Sequence, residues 1–248
     1  MSTPQIPYQR NVIRPVECLS QGWELVRDQY WLFVAMTLVG FMIGSAVPLG
    51  ILMGPMMCGL YLAFFKRRRG EPIEFGTLFK GFEYFGNSVV AAILHTLPII
   101  VIVVPAYIFF YLGMIVSVAA MGDEPSGAGL IGMMFGFMLF IVVVFAVIVV
   151  ITIGFTFAYP LIVDRKLQGF EAVKLSFRAA MANFFRLLGL VILCALVNSL
   201  GVLVCYVGVF LTFPITYAAV AVAYEQVFGL AHPSEIASNL PPPPPRFD

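Results

Sequence analysis

Four long apolar runs without a charged residue constrain what this chain can fold into. They cover residues 31–65, 88–121, 129–163 and 187–224. A single helix over the first run would be roughly 52 Å long, whereas the hydrocarbon core of a bilayer is about 30 Å thick. Hydrophobic residues make up 61% of the chain and charged residues only 11%, against about a quarter in soluble domains. We therefore expect an all-α integral membrane protein.

Helix-breaking residues divide the first and last runs into hairpins. Pro48 and Gly50 interrupt the first run, and Asn198 with several following residues interrupts the last. A re-entrant segment is the alternative for the short second half of the first run. The two middle runs are each expected to form one span that protrudes or kinks, since a hairpin there would move basic residues to the opposite side. The six expected spans are 31–47, 51–65, 88–121, 129–163, 187–203 and 207–224.

An amphipathic pattern precedes the first hairpin, the two middle spans and the last hairpin. Apolar side chains recur at steps of three and four from Phe170 to Leu188, with basic residues on the other side. A shift of 154 positions places Trp23 on Phe177, and it also matches Tyr30 to Phe184 and Trp31 to Phe185. We expect interfacial helices over 16–30, 73–87 and 169–186, and we interpret the match as a duplicated helix-plus-hairpin unit. Their aromatic stripes either enter lipid or pack against the spans.

The distribution of basic residues indicates how the chain is oriented in the membrane. In the six-span topology every Lys and Arg falls on one side, and the three opposite turns contain none. This bias predicts cytoplasmic N- and C-termini in a bacterial plasma (inner) membrane. Residues 1–15 are expected to be an irregular cytoplasmic lead-in, 16–230 a single membrane domain, and 231–248 a Pro-rich cytoplasmic tail.

Two groups of side chains are candidates for contact with the membrane. Basic residues near an anionic surface attract lipid head groups, and aromatic residues anchor a protein at the interface. The candidate anionic-lipid contacts are Lys66, Arg67, Arg68, Arg69, Lys174 and Arg178, and the candidate interfacial anchors are Trp23, Tyr30, Trp31, Phe177, Phe184 and Phe185.

Motifs that would indicate catalysis or a cofactor are not found in the sequence. Gly127 to Gly132 match a dinucleotide-binding pattern, but no strand precedes them and an apolar span follows. The cysteines lack metal-ligand spacing, and no nucleophile elbow, phosphate loop or pair of intramembrane carboxylates occurs. His95 is a polar candidate inside a span, although a structural role is favoured. Glycine pairs such as Gly132 and Gly136 are expected to pack within the molecule. We expect no enzyme and no cofactor.

A family resemblance rests on three short segments. Pro160-Leu-Ile-Val-Asp is followed by Glu171-Ala-x-x-x-Ser-x-Arg and then by Asn183-Phe-Phe-Arg-Leu-Leu-Gly. This pattern resembles bacterial multi-pass membrane families of unknown function, and it is similar to the membrane domain associated with some glycerophosphodiester phosphodiesterases. The resemblance covers about residues 16–230 and implies a membrane fold without an assigned functional residue.

The leading functional hypothesis is a non-enzymatic inner-membrane protein with a scaffold, assembly or lipid-interacting role. The expected partners are membrane lipids, with a membrane-protein partner or a homo-oligomer as further candidates, and no nucleic acid. The alternative is a carrier or exporter of a lipid or small amphiphile, because repeated hairpins flank a central pair of spans, as in many transporters.

Overall fold

The computed structural model describes residues 6–47, 50–121, 127–203 and 208–231, and every regular element in those ranges is helical. The α-helices are α1 (Pro15–Arg27), α2 (Tyr30–Ser45), α3 (Met53–Arg68), α4 (Phe85–Met121), α5 (Gly127–Phe155), α6 (Ala158–Arg165), α7 (Gly169–Ala182), α8 (Phe184–Leu203) and α9 (Gly208–Phe228). A 3₁₀ helix, Phe75–Tyr84, runs directly into α4. The prediction of an all-α fold is confirmed. Pro48 and the Pro-rich tail after residue 231 lie outside the described residues.

The chain divides into two compact units. We call Met1–Ile93 with Ile153–Asp248 the bundle, and Leu94–Thr152 the hairpin. Within the described residues, four helical stretches are long and apolar enough to cross a membrane, judged by length and composition. They are Phe75–Ala119, Ile131–Arg165, Phe184–Leu203 and Gly208–Phe228, and Tyr30–Ser45 is a shorter apolar helix.

Helices α1 and α7 begin at corresponding places. Pro15 occupies the first turn of α1, where its missing N–H costs no hydrogen bond. Gly169 opens α7 exactly 154 positions later in the chain, since 169 minus 15 is 154, and the following helices α2 and α8 also begin 154 positions apart. The buried residues of α1 are Cys18, Gly22, Leu25 and Val26, and 154 positions later α7 buries Ala172, Ser176, Ala179 and Ala180.

Helix α3 lies at the centre of the bundle, and nearly all of it from Gly54 to Phe65 is buried. Its small residues let the 3₁₀ helix approach until the backbones touch, because a Cβ atom on Gly59 would collide with the carbonyl oxygen of Leu78. A Cβ atom on Gly81 of the 3₁₀ helix would likewise collide with α3. The expected interfacial helix over 73–87 is thus a 3₁₀ helix that ends where α4 begins. Both helix types place a residue on the same face every three to four positions, so the sequence pattern suits either.

A break between α5 and α6 is stabilised by one serine. Pro160 lies in the first turn of α6, and a proline ring at that position clashes with the carbonyl group four residues earlier, at Thr156. The helix is interrupted there. The hydroxyl group of Ser176 on α7 accepts a hydrogen bond from the N–H of Phe157 at 3.1 Å and donates one to the carbonyl of Gly154 at 2.7 Å. Ser176 therefore satisfies two backbone groups that the interrupted helix leaves without their helical partners.

The hairpin consists of parts of α4 and α5 joined by ring contacts. Phe110 stacks on Phe140 with ring centroids 4.4 Å apart, and it also meets Phe137 at 5.5 Å. Tyr107 meets the edge of Phe140 at 5.1 Å. Pro98 and Pro105 lie inside α4. Most other side chains of the hairpin are exposed and apolar, as expected of a helix pair surrounded by lipid.

Candidate membrane-interface site

Large aromatic side chains of α1 and α7, and of the helices that follow them, are partly or largely exposed. Trp23 is 45% exposed and Phe177, its counterpart 154 positions later, is 43% exposed. Trp31 and Phe185, which also correspond, are 73% and 83% exposed. Each helix buries a different set of side chains in the protein. The exposed aromatic side chains are therefore available to a surface outside the molecule.

Close packing on the inner face of α1 brings its backbone against α9. A Cβ atom on Gly22 would lie 2.7 Å from the backbone nitrogen of Ala219 on α9, so only glycine fits there without movement. On α7 the corresponding buried residue is Ser176, and the ring of Phe177 covers Gly154 at its edge. The close approach of the α1 and α9 backbones therefore leaves no room for a side chain at position 22.

Ring contacts join the predicted anchors into two aromatic groups, one at the start of α2 and one at the start of α8. The phenol of Tyr30 donates a hydrogen bond to the carbonyl of Leu211 at 2.6 Å, and its ring lies 5.5 Å from Trp23 and 5.6 Å from Trp31. Phe184 is half-buried and meets the edge of Phe185 at 5.6 Å. Tyr30 thus links Trp23 and Trp31 to α9.

The basic residues predicted to contact lipid fall into two groups. Lys174 and Arg178 on α7 are exposed, and neither forms an ion pair with a described residue. By contrast, each basic residue at the end of α3 lies beside a carboxylate. The pairs are Lys66 with Glu71 at 4.0 Å, Arg67 with Asp28, Arg68 with Glu225 at 2.7 Å, and Arg69 with Asp164 at 2.7 Å. Among the six predicted lipid contacts, Lys174 and Arg178 of α7 are thus the two that remain open to an external anion.

Asp164 is the buried centre of a polar cluster at the end of α3. Its side chain is fully buried, and Oδ1 accepts a hydrogen bond from Arg69 while Oδ2 accepts one from the phenol of Tyr224 at 2.9 Å. The backbone N–H of Ala231 also donates to Oδ2, at 2.9 Å. A buried carboxylate is tolerated when it is paired and hydrogen-bonded in this way.

Arg165 extends the cluster to the end of α9. Its guanidinium donates to the carbonyl of Phe228 at 2.8 Å, and the side chain is only 5% exposed. The last carbonyl groups of a helix lack intrahelical partners and carry partial negative charge, so a cation there is stabilising. Gly229, which follows the helix, has a φ of 67°, a conformation that glycine adopts without strain. Asp164 and Arg165 therefore join α3, α6 and α9.

Sequence reasoning did not identify Asp164, Arg165, Tyr224 or Ser176 as a group. A usable signal exists for Asp164, since it follows directly on an apolar run and within a chain with few acidic residues. Its basic partner at position 69 could not be chosen among the many Lys and Arg residues by pattern alone.

His95 is half-buried in the hairpin. Among the described residues no three His, Cys, Asp or Glu side chains come together as a metal site.

Cys18, on the buried face of α1, donates its S–H to Oε1 of Gln226 at 3.4 Å, and burial raises the pKa of this thiol to about 11.

No protein-family model, curated protein or solved structure matches this chain. Function has to be inferred from the geometry and chemistry of the chain's own residues.

Proposed function

We propose that this protein is a non-enzymatic, multi-pass protein of a bacterial inner membrane that acts as a lipid-interacting scaffold. The observation that carries the proposal is the exposure of matched aromatic side chains, Trp23 on α1 and Phe177 on α7, on helices that bury another face in the bundle. Lys174 and Arg178 lie on the same helix as Phe177 and remain open to anionic head groups.

Insertion of aromatic residues should contribute more than charge. Full burial of a large apolar side chain is worth roughly 1.5 to 3 kcal/mol, whereas a basic residue near an anionic surface contributes about 1 kcal/mol. Three phenylalanines of the 3₁₀ helix are exposed as well, namely Phe75, Phe79 and Phe82. We therefore assign the first role in membrane contact to the aromatic residues and a tuning role to Lys174 and Arg178.

The topology that fits this role has six spans and cytoplasmic termini, with α2 and α3 as one hairpin and α8 and α9 as another. Helix α2 has 16 residues, about 24 Å, so its crossing relies on flanking residues that reach the interface or on local thinning of the bilayer. The common spacing of 154 positions between helix starts and buried residues supports a duplicated unit. The proposed relationship to the membrane domain associated with some glycerophosphodiester phosphodiesterases assigns no residue role.

The proposal can be tested by the fluorescence of Trp23. The full chain with Trp31→Phe is reconstituted into vesicles of phosphatidylcholine with phosphatidylglycerol, and acyl chains brominated at different depths serve as quenchers. We expect strongest quenching by bromine close to the head groups, because an interfacial helix buries its apolar face only about 5–10 Å deep. Quenching at no depth would overturn the lipid-facing role.

A matched charge series separates insertion from electrostatic attraction. Lys174→Gln and Arg178→Gln should weaken the dependence of protein stability on the anionic lipid fraction, while leaving the depth of Trp23 unchanged. The control is Arg68→Gln, because Arg68 already pairs with Glu225. An equal effect of all three substitutions would argue against a special role for α7.

A further inference from the structure

Tyr30, the first residue of α2, contacts both tryptophans of the chain. Its ring centroid lies 5.5 Å from that of Trp23 on α1 and 5.6 Å from that of Trp31, and both pairs meet edge to face. The charge distribution of aromatic rings favours this arrangement over a face-to-face stack. Trp23 is 45% exposed and Trp31 is 73% exposed, so the half-buried ring of Tyr30 joins two rings that reach the surface.

The hydroxyl group of Tyr30 is used inside the protein. It donates a hydrogen bond to the carbonyl oxygen of Leu211 on α9, and the two oxygens are 2.6 Å apart. A carbonyl oxygen has two lone pairs, so it can accept this bond in addition to a helical one. The bond joins residues 181 positions apart in the chain. The far end of the Tyr30 ring is therefore fixed to a different helix from the one that carries it.

Other contacts hold α1 and α2 against α9. Gly22 on α1 packs on the backbone of Ala219, where a Cβ atom would approach within 2.7 Å of its nitrogen. Phe41 on α2 stacks on Phe213 of α9 with ring centroids 5.0 Å apart. The placement of the two helices thus has supports besides the hydroxyl of Tyr30. What depends directly on this hydroxyl is the orientation of the ring to which it belongs.

We propose that Tyr30 is a positioning residue for the two tryptophans. The hydrogen bond to Leu211 holds the ring in one orientation, and the ring in turn restricts the side chains of Trp23 and Trp31. Exposed side chains without such contacts change rotamer within picoseconds to nanoseconds. A side chain that is already restricted has less freedom to lose when it is ordered at a surface. The inference rests on the proposed function, because it concerns side chains that this function places against lipid.

The chain itself contains a matched position without the hydroxyl group. Phe184 at the start of α8 follows Tyr30 by 154 positions, and its ring meets that of Phe185 at 5.6 Å. A phenylalanine is therefore accommodated at the start of the helix in α8. The substitution Tyr30→Phe keeps the ring and its edge contacts and removes only the hydrogen bond.

Time-resolved fluorescence anisotropy of single-tryptophan chains tests the proposal. Trp31→Phe leaves Trp23 as the reporter, and Trp23→Phe leaves Trp31. Tyr30→Phe is added to each, and the full chains are reconstituted into vesicles of phosphatidylcholine with phosphatidylglycerol. We expect the anisotropy that remains after the nanosecond decay to fall about two-fold for each reporter, because the ring that restricts it is no longer fixed.

The control removes a different hydrogen bond close to Leu211. Thr212 on α9 donates to the side-chain oxygen of Asn198 on α8 at 2.7 Å, and Thr212→Val abolishes this bond without changing Tyr30. We expect Thr212→Val to leave both anisotropies unchanged. An equal loss in this control would overturn the proposal, since any lost bond near the start of α9 would then loosen the tryptophans.

Tyr30→Phe has three further outcomes that contradict the positioning role. They are an unchanged anisotropy, a loss at only one tryptophan, and a loss of helix content in far-ultraviolet circular dichroism. The last would show that the hydroxyl supports the fold rather than the orientation of the rings.

The same decays recorded in detergent micelles separate this inference from the proposed function. The restriction of Trp23 is internal to the protein and should persist without a bilayer. A two-fold loss in Tyr30→Phe without quenching by brominated lipid would keep the positioning role and remove the lipid-facing one. Quenching with an unchanged anisotropy would do the reverse.

Discussion

Arg69 at the end of α3 donates a hydrogen bond to the buried carboxylate of Asp164 on α6, with 2.7 Å between the atoms and 95 positions between the residues. The arginine is about one-third exposed and the aspartate side chain is fully buried. The pair therefore joins an accessible cation to an interior anion. Tyr224 and the backbone of Ala231 satisfy the second carboxylate oxygen, so the charge of Asp164 is compensated from several elements.

Replacement of Asp164 by asparagine should strongly destabilise the bundle. Asp164→Asn keeps the size of the side chain but removes the buried negative charge, and an amide group replaces one of the oxygens that accept hydrogen bonds from Arg69, Tyr224 and Ala231. Removal of one partner from a buried pair costs on the order of 3 kcal/mol. Equilibrium unfolding in mixed micelles, followed by circular dichroism, measures the change in free energy.

The control for Asp164→Asn is Glu225→Gln. Arg68 and Glu225 are also 2.7 Å apart, but both are about one-third exposed, so this pair should contribute only ~0–1 kcal/mol. Equal losses for the two variants would contradict the importance that burial gives to Asp164.

The sequence was sufficient to predict what depends on residue type and spacing. It predicted the helical class from the apolar runs, which the structure confirms, whereas the match of Trp23 with Phe177 and of Trp31 with Phe185 as parts of a duplicated unit stays a prediction. The sequence could not predict which acidic residue meets which basic one, because ion pairs such as Arg69 with Asp164 depend on how distant segments fold together. The charge pattern predicts only on which side of the membrane the basic residues lie.

Local backbone geometry was the second feature that the sequence could not predict. The phenylalanines from Phe75 to Phe85 suit an α-helix and a 3₁₀ helix almost equally, and the choice depends on contact between Gly59 and the backbone of Leu78. Pro160 was expected to end or kink its span. The location of the break at Phe157 additionally depends on Ser176, which lies 19 positions away.

Ser176→Ala should destabilise the junction of α5, α6 and α7. The substitution removes the acceptor for the N–H of Phe157 and the donor to the carbonyl of Gly154, both of which are buried. An unsatisfied buried polar group costs about 1–3 kcal/mol. The control is Ser20→Ala on the exposed face of α1, which should change the free energy of unfolding by less than about 0.5 kcal/mol. Similar values for both alanines would refute the bridging role.

Two glycines near the 3₁₀ helix should respond in opposite ways to alanine. Gly59→Ala introduces a Cβ atom into the backbone of Leu78, so overpacking should cost about 3 kcal/mol or prevent folding. Gly76→Ala meets no described atom within 4 Å and should be neutral or stabilising by up to about 1 kcal/mol. Melting temperatures in detergent compare the two variants. A stable Gly59→Ala protein would contradict the close approach of the 3₁₀ helix to α3.

Cys18 should react with maleimide far more slowly than a cysteine introduced two positions away. Burial excludes the reagent from Cys18 and raises the pKa of its thiol to about 11, so little of the reactive thiolate exists at pH 7. In Ser20→Cys the new thiol is exposed on the same helix and has an ordinary pKa of about 8.5. Peptide mass spectrometry of the labelled protein gives both rates in one sample.

The dependence on pH identifies the cause. Between pH 7 and pH 9 the thiolate fraction of Cys18 should rise by about 100-fold, whereas that of the introduced cysteine levels off near its pKa. Because burial raises the pKa of Cys18 above the ordinary value of about 8.5, the neutral thiol stabilises the fold below about pH 8.5, and this contribution is lost as the pH rises through about 11. Equal rates at pH 7 would show that the inner face of α1 is open, and they would contradict its packing against Gln226 of α9.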